Sequence, residues 1–231
     1  MPSLDFLRPV DSPEYFMQET ERKIIIFGAR SFAEEVADLA SEIPGVRVAG
    51  FVENLDRNHP PNLHGIPVHW IDDVAPLAAT HQAVCALGTV RRRSLIERAK
   101  AMGFVFVALI HPSARVSQKS TIGEGSMVSA GCIIAAHSVV GAHVIINRGA
   151  LVGHHLEIGD YANVGPGANI GGGSRIGSGA YIGIGATVID HITIGAESVI
   201  GAGAVVTKNI PANVLAVGAP AKIVKEGIEG K

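Results

Sequence analysis

A chain of 231 residues that is 47% hydrophobic and 17% charged is too apolar for disorder and long enough for one or two packed cores. Its formal net charge of −2 provides no global basic field to recruit nucleic acid or an acidic membrane surface. Aromatics amount to only 5% while glycine reaches 28 residues, a balance that points to thin, repetitive β layers rather than a core of large rings. The two cysteines, Cys85 and Cys132, each sit in an apolar run, so neither a disulfide framework nor a cysteine metal site is expected.

In chain order, residues 1–22 form an arm with Asp5, Asp11, Glu14, Glu19 and Glu21 and no apolar stretch of signal-peptide type. No apolar run reaches the ~18 residues of a membrane span, and a soluble, cytoplasmic chain is expected. Lys23–Phe27 reads as a strand ending at Gly28. Ser31–Ala40 follows with helical spacing and Ser31 as a plausible N-cap. Val46–Val52 is a second strand ending at Glu53 and Asn54, Pro67–Trp70 opens a short unit, and His81–Leu87 is a strand ending at Gly88. Arg91–Met102 is an amphipathic helix and Phe104–Ile110 a last strand. Strands alternating with helices over 23–110 predict a small α/β domain of βαβ, Rossmann-like type. Its turn from Gly28 to Ala33 is the place where such sheets hold a phosphate at a helix N-terminus. That turn has one glycine where a dinucleotide fingerprint has three, which argues against NAD. Glu53 stands where an acid commonly accepts hydrogen bonds from a ribose or base, although an ordinary loop acid fits the position equally well.

From Val116 every sixth residue is Ile or Val, through Ile122, Val128, Ile134 and onward to Ile200 and Val206, sixteen times without a skip. The next position is often glycine, as at Gly123, Gly159, Gly177 and Gly195, and the fifth is usually Ala or Ser. Three such hexapeptides make one triangular coil, and stacked coils put their Ile and Val columns inside a parallel β-helix. The helix is expected over 111–231, including a C-terminal tail, and the spacing leaves its handedness open.

Within the repeat, His154 and His155 occupy positions elsewhere taken by small turn residues. Acyl transfer from a thioester needs a base for the attacking group and donors for the oxyanion; an imidazole suits the first, backbone N–H groups the second. The coil length stacks His137, His155, Gly173 and His191 in one column, with His143 nearby in sequence. That column leaves a zinc site of the carbonic anhydrase kind as an alternative.

The Gly-Ala turn, Ile110-His111-Pro112-Ser113-Ala114, the repeat, and Val217-Gly218-Ala219-Pro220-Ala221-Lys222 together resemble the hexapeptide-repeat sugar acetyltransferases. The nearest type is the sialic-acid O-acetyltransferases and bacillosamine or perosamine N-acetyltransferases. The resemblance implies a left-handed coil, a homotrimer, acetyl-CoA as cosubstrate between adjacent prisms, no metal, and a nucleotide-linked amino sugar on the N-terminal domain. It implies His154 as general base, five residues before Gly159, with His155 where the family often has an acid. Acetyl-CoA contacts fall at Asn163, Ile184 and Ala202, and substrate contacts at Arg30, Ser31, Phe32, Glu53, Asn54 and Gly88. Phe32 stands where that family usually has a polar residue. The expected reaction is N-acetylation; sugar O-acetylation, needing the same base, is the alternative enzyme. A non-catalytic, metabolite-sensing trimer is the alternative of another class.

Overall fold

The structure, a computed structural model, describes residues 21–231, so the N-terminal arm lies almost wholly outside it. Strand β1 (Arg22–Phe27) is followed by α1 (Ser31–Ser41), β2 (Val46–Glu53), β3 (Asn62–Leu63), β4 (Ile66–Trp70), β5 (Gln82–Cys85), α2 (Arg92–Ala101) and β6 (Val105–Phe106). The sheet order is β3-β4-β2-β1-β5-β6, all parallel except the β3–β4 hairpin. The apolar run Ile24–Phe27 is fully buried because helices cover both faces of the sheet: Val36 and Ala40 of α1 pack on one side, Leu95 and Ile96 of α2 on the other. The strand order switches sides between β1 and β5, β2 and β4 lying to one side of β1 and β5 and β6 to the other, which opens a crevice at the carboxyl ends of β1, β2 and β5.

Two local expectations need correction. Ser31 is the first helical residue; the N-cap is Arg30, whose side chain makes no capping hydrogen bond, so this helix start keeps free N–H groups. The strand expected over Phe104–Ile110 breaks in two. Only Val105–Phe106 joins the α/β sheet, while β7 (Leu109–Ile110) pairs with Met127–Val128 and begins the prism.

From Leu109 to Val206 seventeen two-residue strands recur every six residues, and each strand up to Thr187–Val188 pairs in parallel with the strand eighteen residues on, as Met127 with Ile145 and Val128 with Ile146. Three sheets result. The first face carries Met127, Ile145, Asn163 and Tyr181 pointing outward; the second carries Ile133, Leu151, Asn169 and Thr187; the third carries Val139, Glu157, Arg175 and Thr193. The hexad residues point inward and form one buried column cluster with the small residues two positions before them. Where that small residue is serine it is satisfied inside: Ser138 Oγ donates to Gly153 O at 2.6 Å and Ser198 Oγ to Pro211 O at 2.6 Å. Glycine after the hexad residue is a packing requirement, since a Cβ on Gly123 would lie 2.5 Å from the backbone of Gly141 in the next coil. A strand at Val214–Val217 ends the first face, and Lys222–Glu226 folds back antiparallel on it.

The α/β domain sits on the first face of the prism. Leu109, Met127 and Ile145 share a buried cluster with Ile24, Ile26, Phe51 and Val84, so the two cores are continuous. Polar ties surround this contact: Arg148 with Glu35, His111 Nε2 with Glu42 at 2.8 Å, and Lys100 Nζ with Glu124 at 2.7 Å. At its centre lies Arg92, only 1% exposed, with no carboxylate partner among the described residues. Its guanidinium donates to Thr89 O at 3.0 Å, His143 O at 3.1 Å and Tyr161 O at 2.6 Å. Burial lowers its pKa to about 10, which leaves it charged at neutral pH.

His143 is the second group trapped at this contact. It lies on a different corner of the prism from His154, stacks on Tyr161 at 5.2 Å between centroids, and is 2% exposed. Neither ring nitrogen has a hydrogen-bond partner among the described residues. Desolvation, reinforced by Lys100 and Arg92 and opposed by Glu124 and Asp160, lowers its pKa to about 4. In the unfolded chain this imidazole takes up a proton near its ordinary value of 6.5, while in the folded chain it stays neutral until about 4. Stability is therefore complete above that upper value and falls as acid is added down to the lower one. The expected result is a melting temperature that drops between these two pH values in the native protein and drops less in His143→Asn, which tolerates the left-handed backbone at φ 56°. Parallel pH profiles for the two proteins would refute the assignment.

Candidate active site

Two groups of candidate residues occupy opposite sides of the prism. Leu151–Val152 lies on the second face and Glu157–Ile158 on the third, so His154 and His155 form the corner between them. Both rings are exposed, and their Nδ1 atoms are 3.1 Å apart, a separation at which one nitrogen donates and the other accepts. His154 lies over Gly172 of the next coil, where a Cβ would sit 2.8 Å from its Nε2. His155 takes the left-handed turn slot at φ 52°, usually filled by glycine elsewhere in the prism, and stacks on His137 at 4.8 Å between centroids. The column of His137, His155, Gly173 and His191 thus forms as the repeat predicts. Among the described residues no three His, Cys, Asp or Glu side chains are placed to hold a metal.

The crevice lies across the prism, on the first face. A cavity of about 930 Å³ is lined by Asn54, Leu55, Leu87, Thr89, Arg91 and Ser94, with Arg98 and residues Glu229–Lys231 completing it. Of the expected substrate contacts, Asn54 lines this cavity and Gly88 lies between two lining residues. Arg30, Ser31 and Phe32 stand at the start of α1 and are not among the residues that line it. Glu53 is 6% exposed; its Oε1 accepts from Asn54 N at 2.8 Å and Leu55 N at 2.7 Å, and its Oε2 lies 3.9 Å from Arg30 Nε. The carboxylate therefore shapes the loop after β2 and keeps one oxygen toward Arg30. The sequence reading missed Arg91, Ser94 and Arg98, although the start of the helix after β5 is the other side of the same crevice. It also missed the tail, which carries no local signal.

Asn163 lies against Gly88 rather than at the histidine corner. It is 3% exposed beneath the α/β domain, and its Nδ2 donates to Gly88 O at 3.4 Å. Ile184 and Ala202 stack at the corner between the first and second faces, both exposed. Neither amide N–H donates to another backbone group among the described residues, so both can donate to an amide-bearing chain laid along that corner. No single chain brings these three places together: the histidine corner is opposite the face that holds the crevice.

A parallel α/β domain seated on a hexapeptide prism, with exposed imidazoles at one corner, defines a hexapeptide-repeat transferase. Residues 173–208 match the bacterial transferase hexapeptide repeat, and residues 23–99 match the PglD N-terminal domain. No curated protein matches the chain significantly. Among solved structures, PerB from Caulobacter crescentus, in complex with CoA and GDP-perosamine, is 38% identical with a TM-score of 0.81, over 88% of this chain and 97% of that one. The acetyltransferase domain of PglB from Neisseria gonorrhoeae, in complex with acetyl coenzyme A, is 33% identical with a TM-score of 0.81, over 88% of this chain and all of that one (100%). WeeI from Acinetobacter baumannii is 29% identical with a TM-score of 0.79, over 88% of this chain and 100% of that one. The chain belongs to the hexapeptide-repeat sugar acetyltransferase family that includes the bacillosamine and perosamine N-acetyltransferases.

Proposed function

We propose that the protein transfers the acetyl group of acetyl-CoA to the amine of a nucleotide-linked amino sugar. The nucleotide lies in the crevice of the α/β domain, and the pantetheine arm follows the corner of Ile184 and Ala202. The neutral amine attacks the thioester carbonyl; His154 takes the proton that the nitrogen loses, and CoA leaves as thiolate, which that proton then neutralises. His155, 3.1 Å away, orients the His154 ring through the nitrogen not used in the reaction. Asn163, held against Gly88, sits where the sugar end of the crevice meets the prism.

One observation carries the assembly: His154 and the crevice are on opposite sides of one prism, so a complete site needs the histidine corner of a second copy. Exposed Ile133, Val139 and Leu151 flank that corner and supply apolar surface for such packing. A cyclic homotrimer satisfies both demands, each crevice facing a neighbour's histidines. Among the described residues no helix is long and apolar enough to cross a membrane. We place the protein in the cytoplasm, where acetyl-CoA and nucleotide sugars are made.

The test is thiol release from acetyl-CoA against a panel of nucleotide-linked 4-amino sugars and their hydroxyl counterparts. Release with an amine acceptor is expected. Release with the hydroxyl sugars alone would make the enzyme an O-acetyltransferase, and a folded protein that neither releases thiol nor is stabilised by acetyl-CoA would overturn the catalytic reading.

A further inference from the structure

The tail beyond Glu226 runs back to the crevice instead of leaving the prism. Ile228 and Asn213 exchange two hydrogen bonds of 3.0 Å, one of them through the Asn213 side chain. Gly230 is pressed in so closely that a Cβ would lie 2.5 Å from Glu197 Oε2 and 2.9 Å from Val90 Cγ1. Lys231 O accepts from Val90 N at 2.9 Å, just before α2. The Lys231 ammonium donates to Tyr181 Oη at 3.0 Å and lies 4.1 Å over the Tyr181 ring. Tyr181 is the strand neighbour of Asn163, whose amide touches Gly88.

The tail thus wedges between α2 and the prism and presents a cation where the crevice meets the prism. Among the described residues that cation is held by a phenol and an aromatic face, not by a carboxylate. The other lining cations differ: Arg98 is paired with Asp72, and Arg91 lies at the start of α2, remote from Tyr181 in the chain but on the same cavity wall. Resting on the proposed nucleotide-sugar reading, we infer that Lys231 is a substrate-binding residue whose ammonium contacts the diphosphate of the nucleotide sugar, and that Glu229–Lys231 form a wall of its site. Lysine serves phosphate as a mobile point charge, and Tyr181 keeps that charge poised without neutralising it.

The experiment measures binding of GDP and UDP by calorimetry to the full chain and to Lys231→Met and Lys231→Arg. Lys231→Met should weaken the tighter of the two diphosphates roughly tenfold, the worth of one charge-assisted contact, with a shallower salt dependence, while Lys231→Arg retains most of the affinity. Melting temperature and the KM for acetyl-CoA should stay at native values in both variants. Unchanged diphosphate affinity in Lys231→Met would overturn the inference. A chain ending at Glu226 that binds diphosphate more tightly than the full chain would also overturn it and make the tail a plug. A native protein that binds neither diphosphate would count against the nucleotide-sugar reading itself, and the role of Lys231 falls with it.

Discussion

Replacing His154 with alanine lowers turnover roughly 10²–10⁴-fold, the usual worth of a positioned general base. Acetyl-CoA affinity survives, because that contact is assigned to the corner of Ile184 and Ala202. His155→Ala costs less, since its ring positions a neighbour rather than moving the proton. The proposed sharing of the site between copies makes a sharper version possible. Ser94→Trp fills the crevice from α2 and is inactive by itself, yet it keeps its histidine corner. Coexpressed in equal amounts with His154→Ala, it should restore about a quarter of native activity, because a site works when an intact crevice meets an intact neighbouring histidine. No recovery on coexpression would place the whole site within one chain, contrary to the proposed assembly. If His155→Ala abolished turnover while His154→Ala spared it, the base would belong to the His137–His155 column.

Arg92→Met is the second large effect expected, and it acts on stability. The thioether side chain fills much of the volume but removes every donor, leaving the carbonyls of His143 and Tyr161 buried without a partner. A loss of about 2–6 kcal/mol follows, with each of the two stranded carbonyls costing about 1–3 kcal/mol. Arg92→Lys should recover only part, because an ammonium has no planar fork to span Thr89 on one side and the prism turns on the other. Denaturant midpoints measure this directly. A midpoint within about 0.5 kcal/mol of native in Arg92→Met would show that the guanidinium is dispensable there.

The prism was legible in the chain because its constraint is local and repeated: one inward β-branched residue, one small residue and one turn per hexapeptide. The coil that Leu109–Ile110 opens was read as part of the α/β sheet because Ile110 sits at the open end, 36% exposed, following an apolar run that fits either assignment. The seating of the α/β domain was not legible. Met127, Ile145 and Asn163 occupy outward positions, and alternation alone gives them to solvent. Only a partner element distant in sequence buries them. The same partner explains His143, which shares its turn slot with His137 and His155 but lies under α2 and loses its solvent. The corner of His154 and His155 was legible because nothing among the described residues covers it. Its distance from the crevice was not, since the hexad names the face of each residue only after the first face is known.

The uniform eighteen-residue register has a consequence for how such an enzyme can change. Adjacent strands in a ladder are ~4.8 Å apart, so each coil is one fixed step along the prism axis. His154 is therefore set at a discrete height relative to the crevice, determined by how many coils separate it from the level of Leu109. A single inserted residue between the two would turn every later inward residue out of its column. A whole added coil would leave the columns intact and raise His154 by one step, carrying the proposed base past the amine of the sugar it would serve. Acceptors of different reach are thus matched by integers of coil, and side chains at the crevice supply the finer adjustment between steps.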